Sequence, residues 1–470
     1  MFIDVDDWDM QMRFPIGITL VVAALALVAV LLVGQQLIQP NRPLVADAVF
    51  EPAAITPNAD GDADVAIFRY TLSRNASISL TLEAESGASY VFRDNEPRIP
   101  DVHQVLFSGV VDGFALPGDD VSGEVLRRLL PDGAYTWRLV AEAEDGEFAE
   151  QSGTLTIADG DHSLPDLQNF TVSPDVFTPN QDAISDRVAI SVILAKDAEL
   201  SVYLEDEAGN QFAVPERQND VMSGRAGRHS YDYEGGVDQN ADPPDDGAYR
   251  VVAEAQDTVG QIVRQVSELT IEAGGKPLGQ IVQQPSGADV IFVPQPWDEA
   301  YAAGEPVALP DDPDDANVMA ITMPVGNVLV FRLTVENYSR VPLRTTGPEP
   351  GYVYDSFDDR ASTIGAFDSS GAWRVGIDCD NAASDYPWRW AIGTPDVLTD
   401  VTDPATGEVF HYLMPGERSV VWGAVRMTDL IETSNPQVCW AGLIHEDVQV
   451  YSPRIGPREV ELAPTEINDD

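Results

Sequence analysis

The sequence predicts an all-β protein, a tandem pair of β-sandwich modules and a longer C-terminal β-sandwich domain, preceded by one transmembrane helix. Three observations predict this. The stretch Thr56-Pro57-Asn58-Ala59-Asp60-Gly61-Asp62-Ala63-Asp64 returns as Thr178-Pro179-Asn180-Gln181-Asp182-Ala183-Ile184-Ser185-Asp186, so an internal repeat fixes the module count. Apolar residues alternate in short runs separated by turn signals, the pattern of half-buried antiparallel strands. One uncharged apolar run, residues 14–34, is long enough to cross a bilayer.

A short tail, residues 1–13, precedes that run. At about 1.5 Å rise per residue its 21 residues reach across roughly 30 Å of hydrocarbon. The competing reading is a cleaved signal peptide. Against it stand the acidic flank Asp4, Asp6, Asp7 and Asp9, and the lack of a small-x-small site around Gln35-Gln36-Leu37-Ile38. Arg13 and Arg42 flank the run almost evenly, so charge encodes orientation poorly. Residues 39–45 read as a tether.

The first module, residues 46–159, carries alternating strands over 65–72 and 76–82; the second, residues 166–273, repeats them over 188–194 and 198–204. Leu130-Pro131-Asp132-Gly133-Ala134-Tyr135 in the first is echoed by Asp246-Gly247-Ala248-Tyr249 in the second. The offset shrinks from 122 residues (Thr56 to Thr178) to 114 (Asp132 to Asp246), which one short insertion explains. Residues 123–130 could form a brief helical turn, though eight residues are too few to decide, and residues 224–246, rich in Gly, Asp and Pro, read as long surface loops.

The order of Thr-Pro-Asn-x-Asp, alternating strands, a Gly-Asp-rich loop, Asp-Gly-x-Tyr and a final apolar strand resembles the immunoglobulin-like domain of the flagellar hook-capping family (FlgD-type). It also resembles the C-terminal modules of gliding-motility and surface proteins. The resemblance covers residues 46–273 and implies two tandem Ig-like sandwiches. Ala59 and Gln181 stand where the family pattern has Gly, and the Trp-Asp-Gly that precedes Asp-Gly-x-Tyr in the family is missing.

Gly274-Gly275-Lys276-Pro277 marks a boundary, and the acidic, Pro-broken stretch 309–315 is a loop. The C-terminal domain, residues 280–462, shows no copy of the repeat; strands are expected over 289–293, 328–337, 419–427 and 438–445, in a domain broadly like bacterial surface Ig-like domains. Residues 463–470 read as a disordered tail. Cys379 and Cys439 share this domain. Two cysteines in a secreted β module commonly form a disulfide, here closing a loop of about 60 residues worth roughly 4 kcal/mol in chain entropy; two buried free thiols are the alternative.

A formal charge of −51 with only two lysines, Lys196 and Lys276, excludes nucleic acid as a partner and repels anionic lipid headgroups. It suits a saline habitat, a cation-rich exterior or solubility alone.

Two ligand candidates emerge. Asp60, Asp62 and Asp64 alternate as oxygen donors do in calcium loops, making Ca²⁺ the one cofactor candidate. The alternative is an Asx-turn built on Asn58 and Asn180; the second copy keeps only Asp182 and Asp186 of the acids. Trp388 and Trp390 share one face of a strand and could stack on a sugar ring; the alternative is a packed core. Catalysis has little support. His103, His162, His229, His411 and His445 have no metal-ligand spacing, and no nucleophile elbow, phosphate loop or dinucleotide fingerprint is present.

The expectation is a non-enzymatic single-pass membrane protein with its C-terminal domains outside the cytoplasm. Its two repeats would act as a spacer in a structural or adhesive role, with membrane, envelope proteins or glycans as partners. A carbohydrate-binding surface protein using the C-terminal tryptophans is the alternative, and an envelope hydrolase with acidic catalysis a distant third.

Overall fold

The structure, a computed structural model, describes residues 21, 23–30, 42–217, 221–356, 359–365, 369–403 and 406–464. Residues 21 and 23–30 are helical and expose Leu25, Leu27 and Val30. The remainder of the expected span 14–34 lies outside the described residues, and among those described no helix is long and apolar enough to cross a membrane. The expected tail lies outside them from residue 465 on; Ala463 itself ends the strand Gln449–Ala463. The chain divides into two compact units, residues 1–165 with 256–263, and residues 166–255 with 264–470.

The first unit holds the first repeat as two sheets. One has the strand order Val45–Glu51, Ala66–Leu72, Val102–Phe107; the other runs Ala54–Ile55, Phe148–Ile157, Gly133–Ala143, Ala76–Ala84, Ser89–Arg98. Every second residue of Ala66–Leu72 and of Ala76–Leu82 is buried, as period-2 patterning requires. Their inner faces meet in one core containing Phe50, Phe68, Tyr70, Leu80, Trp137 and Leu139. Burying each such side chain contributes about 1.5–3 kcal/mol. The Trp137 indole lies on Gly153, where a Cβ would stand only 2.5 Å from the ring, so the strand opposite needs glycine there. Residues Glu124–Leu129 form a strand paired with Val110–Asp112, not a helical turn: Leu129 is buried and the segment is extended along a neighbour.

The second unit contains the second repeat and the C-terminal domain. The repeat copies the first. Leu167–Ser173, Val188–Leu194 and Gly227–Tyr233 form one sheet, and Gln211–Ala213, Glu199–Glu205, Gly247–Gln256 and Ile262–Ile271 pair in that order in another. The two-residue parallel pairing of Ala54–Ile55 with Thr156–Ile157 recurs as Val176–Phe177 with Thr270–Ile271. Residues 224–246 are not all loop. Gly227–Tyr233 is a strand burying His229, Tyr231 and Tyr233, an alternation hidden by the Gly, Asp and Pro around it.

The C-terminal domain packs the sheet Gly279–Val282, Val328–Asn337, Arg418–Arg426, Val353–Tyr354 and the sheet Ala320–Pro324, Gln449–Ala463, Gln437–His445, Trp373–Cys379, Trp388–Ala391 around one core. The first strand expected at 289–293 lies at Ile291–Gln295 and is preceded by Gly279–Val282. Within the second of these sheets, Trp373–Cys379 and Trp388–Ala391 are buried on both faces. A small third sheet joins Leu343–Thr345, Val409–Leu413 and Thr399–Thr402.

Candidate functional site

The repeated acidic loop has the same geometry in both copies. Backbone φ is positive at alternate residues: 63°, 92° and 54° at Ala59, Gly61 and Ala63, and 60°, 65° and 51° at Gln181, Ala183 and Ser185. Such alternation turns successive amides toward one point and creates an anion-binding concavity. The anion is the motif's own last aspartate. Asp64 accepts from the amides of Asn58 (3.1 Å), Ala59 (2.7 Å) and Gly61 (2.8 Å). Asp186 accepts from those of Asn180 (2.9 Å), Gln181 (2.6 Å) and Ala183 (2.5 Å). Thr56 and Thr178 clamp the loop ends, each hydroxyl donating to the carbonyl six residues on. Asn58 Oδ1 accepts from the Asp60 amide and Asn180 Oδ1 from the Asp182 amide, the expected Asx-turns.

The three acids of the first loop are therefore not gathered on a common point. Asp64 faces inward to the amides, Asp60 accepts from the Asp62 amide, and Asp62 is exposed. Among the described residues no group of three His, Cys, Asp or Glu side chains is placed to hold a metal ion. The amides of the nest, chiefly that of Gly61, hold the Asp64 carboxyl below the usual aspartate value.

Ala59 and Gln181, where the resembled family has Gly, occupy left-handed backbone that costs an L-residue roughly 1–2 kcal/mol. Ala59→Gly relieves that strain at the expense of a more flexible unfolded chain. The expected outcome is a net gain of about 0.5–1 kcal/mol for the first repeat in urea denaturation, and a loss of stability would contradict the strain argument.

The second shared motif is also structural. Tyr135 OH donates to the Pro131 carbonyl (2.5 Å) and Tyr249 OH to that of Asp245 (2.7 Å), the tyrosine corner of Ig-like sandwiches. The preceding aspartates hold the chain that leaves each module: Asp132 accepts from the Gly160 amide, and Asp246 from those of Ala273 and Gly274.

The two loops differ in what surrounds them. The first is largely exposed at Ala59 to Ala63; in the second, Asn180 and Asp182 are each 5 % exposed. Within the second unit this loop is seated on the C-terminal domain. Tyr412 OH donates to Asp182 Oδ2 (2.9 Å), and His445 Nε2 lies 2.8 Å from the Gln181 carbonyl oxygen. Gly371 lies so near the Asp182 and Ala183 backbone that an added Cβ would come within 2.4 Å of it. Burial raises the Asp182 carboxyl above its usual value. It also pushes Asp186 up to about 6, helped by the neighbouring Asp182. Burial brings His445 down to about 4.

One further cluster leaves no signature in the sequence. Glu446 is buried between Arg374 (3.3 Å) and Arg389 (2.5 Å), with Arg389 also donating to the Tyr386 carbonyl and Arg374 to that of Thr346. Desolvation lowers the Arg374 guanidinium, and Arg389 adds to that effect against the pull of Glu446. The pairing separates Glu446 from its chain neighbour His445, so His445-Glu446-Asp447 is no acid–base unit.

Trp388 and Trp390 share a face, as period 2 predicts, but that face is the core: both are 0 % exposed. Trp390 packs edge-on against Phe331 (4.6 Å) and Tyr354 (5.0 Å) and donates to the Tyr352 carbonyl; Trp388 donates to the Asp359 carbonyl. Neither offers a ring face to a sugar, which corrects the glycan expectation for these residues. Cys379 and Cys439 form a disulfide and face each other directly across neighbouring strands.

No protein-family model and no curated protein sequence matches the chain. Among solved structures, a tetra-tandem repeat from the extending region of a large adhesion protein is similar at 14 % identity and TM-score 0.17, covering 87 % of this chain and 73 % of that one. A Ca²⁺-stabilised adhesin with which an Antarctic bacterium binds ice is similar at 14 % identity and TM-score 0.20, covering 83 % and 74 %. The native conformation of E. coli α2-macroglobulin is similar at 11 % identity and TM-score 0.18, covering 91 % and 24 %. Likeness at TM-scores this low assigns the chain no role.

Proposed function

We propose that this chain is a single-pass membrane-anchored structural or adhesive protein, whose tandem Ig-like repeats are a spacer presenting the C-terminal β domain outside the cytoplasm. The observation that carries this reading is the Cys379–Cys439 disulfide in the core of a chain that also carries an uncharged apolar run over residues 14–34. Disulfides persist in oxidising compartments, and an apolar run of that length fits a bilayer. The hook-capping resemblance contributes the module type and no flagellar role.

The reading is non-enzymatic, and the placement of the histidines supports it. His103 stacks on Tyr70, His162 meets Asp132, His229 meets Glu216, His411 meets Asp400, and His445 belongs to the seat of the second loop. Each is engaged at a different place in the fold, so among the described residues no two histidines face a common cleft. The partners proposed for such a protein are the membrane, through residues 14–34, and other envelope proteins or glycans, the latter not through Trp388 and Trp390.

Protease applied to intact cells tests the topology. The expected result is digestion of everything beyond about residue 42, leaving a small membrane-embedded fragment. Full protection of the C-terminal domains in intact cells, with digestion only after lysis, would overturn the reading.

A further inference from the structure

The second repeat and the C-terminal domain belong to one compact unit, and two sets of bonds hold them to each other. The first is the seated loop. The Asp182 carboxylate accepts from the Ile184 amide (2.8 Å) and from the Tyr412 hydroxyl (2.9 Å), so one side chain ties its own turn to the neighbouring domain. His445 Nε2 meets the Gln181 carbonyl at 2.8 Å, and Asp182, Tyr412 and His445 are all buried. The seat is itself braced. Arg344 stands opposite Tyr412 on the paired strand and donates to the Ser370 carbonyl, while the Gly371 amide donates to the carbonyl of Glu446 (3.0 Å), whose side chain Arg374 and Arg389 hold.

The second set lies along the connecting chain. Asp246 accepts from the amides of Ala273 (3.0 Å) and Gly274 (2.9 Å), and the Pro179 carbonyl from that of Gly275 (3.0 Å), which fastens the start of the connection to the second repeat. Its end is fastened to the C-terminal domain: Tyr451 OH donates to the Pro277 carbonyl (2.9 Å), and the Leu278 carbonyl accepts from the Tyr338 amide (3.1 Å). From Gly279 the chain is already a strand of that domain. A hinge needs a few residues that absorb large changes in φ and ψ, and this connection offers no loose run to serve as one.

Domains joined in a chain move relative to one another unless the surface between them holds them. We propose that the second repeat is locked to the C-terminal domain as a fixed pedestal, so that each stabilises the other and the repeat sets the orientation of the domain it presents. This deepens the spacer reading: the last module of the spacer is built into what it carries. Linkage gives the consequence. A contact made only while both domains are folded adds the same free energy to the stability of each, so a change on one side registers in the other.

The lock concerns the fold and not the compartment, so a chain that fails the protease test on cells can still pass the two tests that follow, and the reverse. Native-state hydrogen exchange of the full chain reads the cross effect at the amides of Val188–Leu194, the middle strand of one sheet of the second repeat, where exchange requires the repeat to open. Tyr412→Phe removes one hydroxyl from the C-terminal domain, 230 residues from Asp182 in sequence, and leaves Asp182 Oδ2 without that donor. Protection of Val188–Leu194 should fall about ten- to a hundredfold, the loss expected for a hydrogen bond to a charged group. Gly371→Ala, whose Cβ would stand 2.4 Å from the Asp182 carbonyl carbon, should lower it further. Unchanged protection of Val188–Leu194 in Tyr412→Phe would overturn the proposal. Spin labels on Ser201→Cys and Ala320→Cys, exposed positions of Glu199–Glu205 and Ala320–Pro324, read the orientation directly. The expected result is a single narrow distance with the joint intact, broadened by Gly371→Ala; a broad distribution with the joint intact would overturn it.

Discussion

Trp390→Ala lowers the stability of the C-terminal domain by about 3–5 kcal/mol, because it removes a fully buried indole and leaves a cavity that strands on both sides cannot fill. The site is built around this side chain. Phe331 and Tyr354 pack edge-on to it, the Tyr352 carbonyl accepts its N–H, and Gly423 opposite has no room for a Cβ, which would sit 2.3 Å from Nε1. Denaturant unfolding followed by near-ultraviolet circular dichroism measures the loss. A variant that keeps wild-type stability while losing affinity for a glycan would restore the sugar-binding reading of Trp388 and Trp390.

Removing the disulfide has an effect of similar size through a different state. Cys379 and Cys439 are 60 residues apart and lie directly opposite each other on adjacent strands. The paired strands hold the folded geometry without the bond, so the loss falls mainly on the unfolded chain, which gains the freedom of the opened loop. On the chain-entropy model that amounts to about 4 kcal/mol. For a domain of this size it corresponds to a fall of roughly 10 °C in melting temperature. Cys379→Ala/Cys439→Ala and the reduced wild type should therefore melt together, both well below the oxidised protein; an oxidised protein no more stable than the double variant would contradict the argument.

The sandwich modules were legible because alternation survives in their strands. Ala66–Leu72 and Ala76–Ala84 each present one apolar face, and the copies in the second repeat do the same. Alternation fails where both faces are buried. Trp388–Ala391 is buried at every position, Arg389 included, so period 2 tells that the two tryptophans share a face but not which side of the sheet is solvent. In the Gly-, Asp- and Pro-rich stretch before Asp246, the short alternation of His229, Tyr231 and Tyr233 was outweighed by its flanks.

The acidic loop reads from its residue types either as a turn or as a calcium loop, and those types alone do not decide between them. Alternating carboxylates are visible in a sequence; alternating left-handed φ is not, unless every odd position is Gly, and here Ala59, Ala63, Gln181, Ala183 and Ser185 fill five of the six. The seat of the second loop was out of reach altogether. Asp182 meets Tyr412 across 230 residues, and Gln181 meets His445 across 264, with no local pattern to announce either contact. Asp182 keeps the place of Asp60, which makes the same bond to the amide two residues on, so its retention follows from the loop itself and announces no joint.

In both repeats the motif carboxylates serve architecture, with Asp64 and Asp186 as the internal anions of two backbone nests. Calorimetric melting of the full chain with and without millimolar Ca²⁺ tests this most directly, alongside Asp64→Asn. The account predicts that Ca²⁺ leaves the melting of the first repeat unchanged, while Asp64→Asn lowers it. The contribution of Asp64 should be present above its unfolded value of 3.8 and lost as pH falls through its lower folded value. A melting temperature that rises with Ca²⁺ in the wild type and not in Asp64→Asn would contradict it, and would make the first loop a cation site.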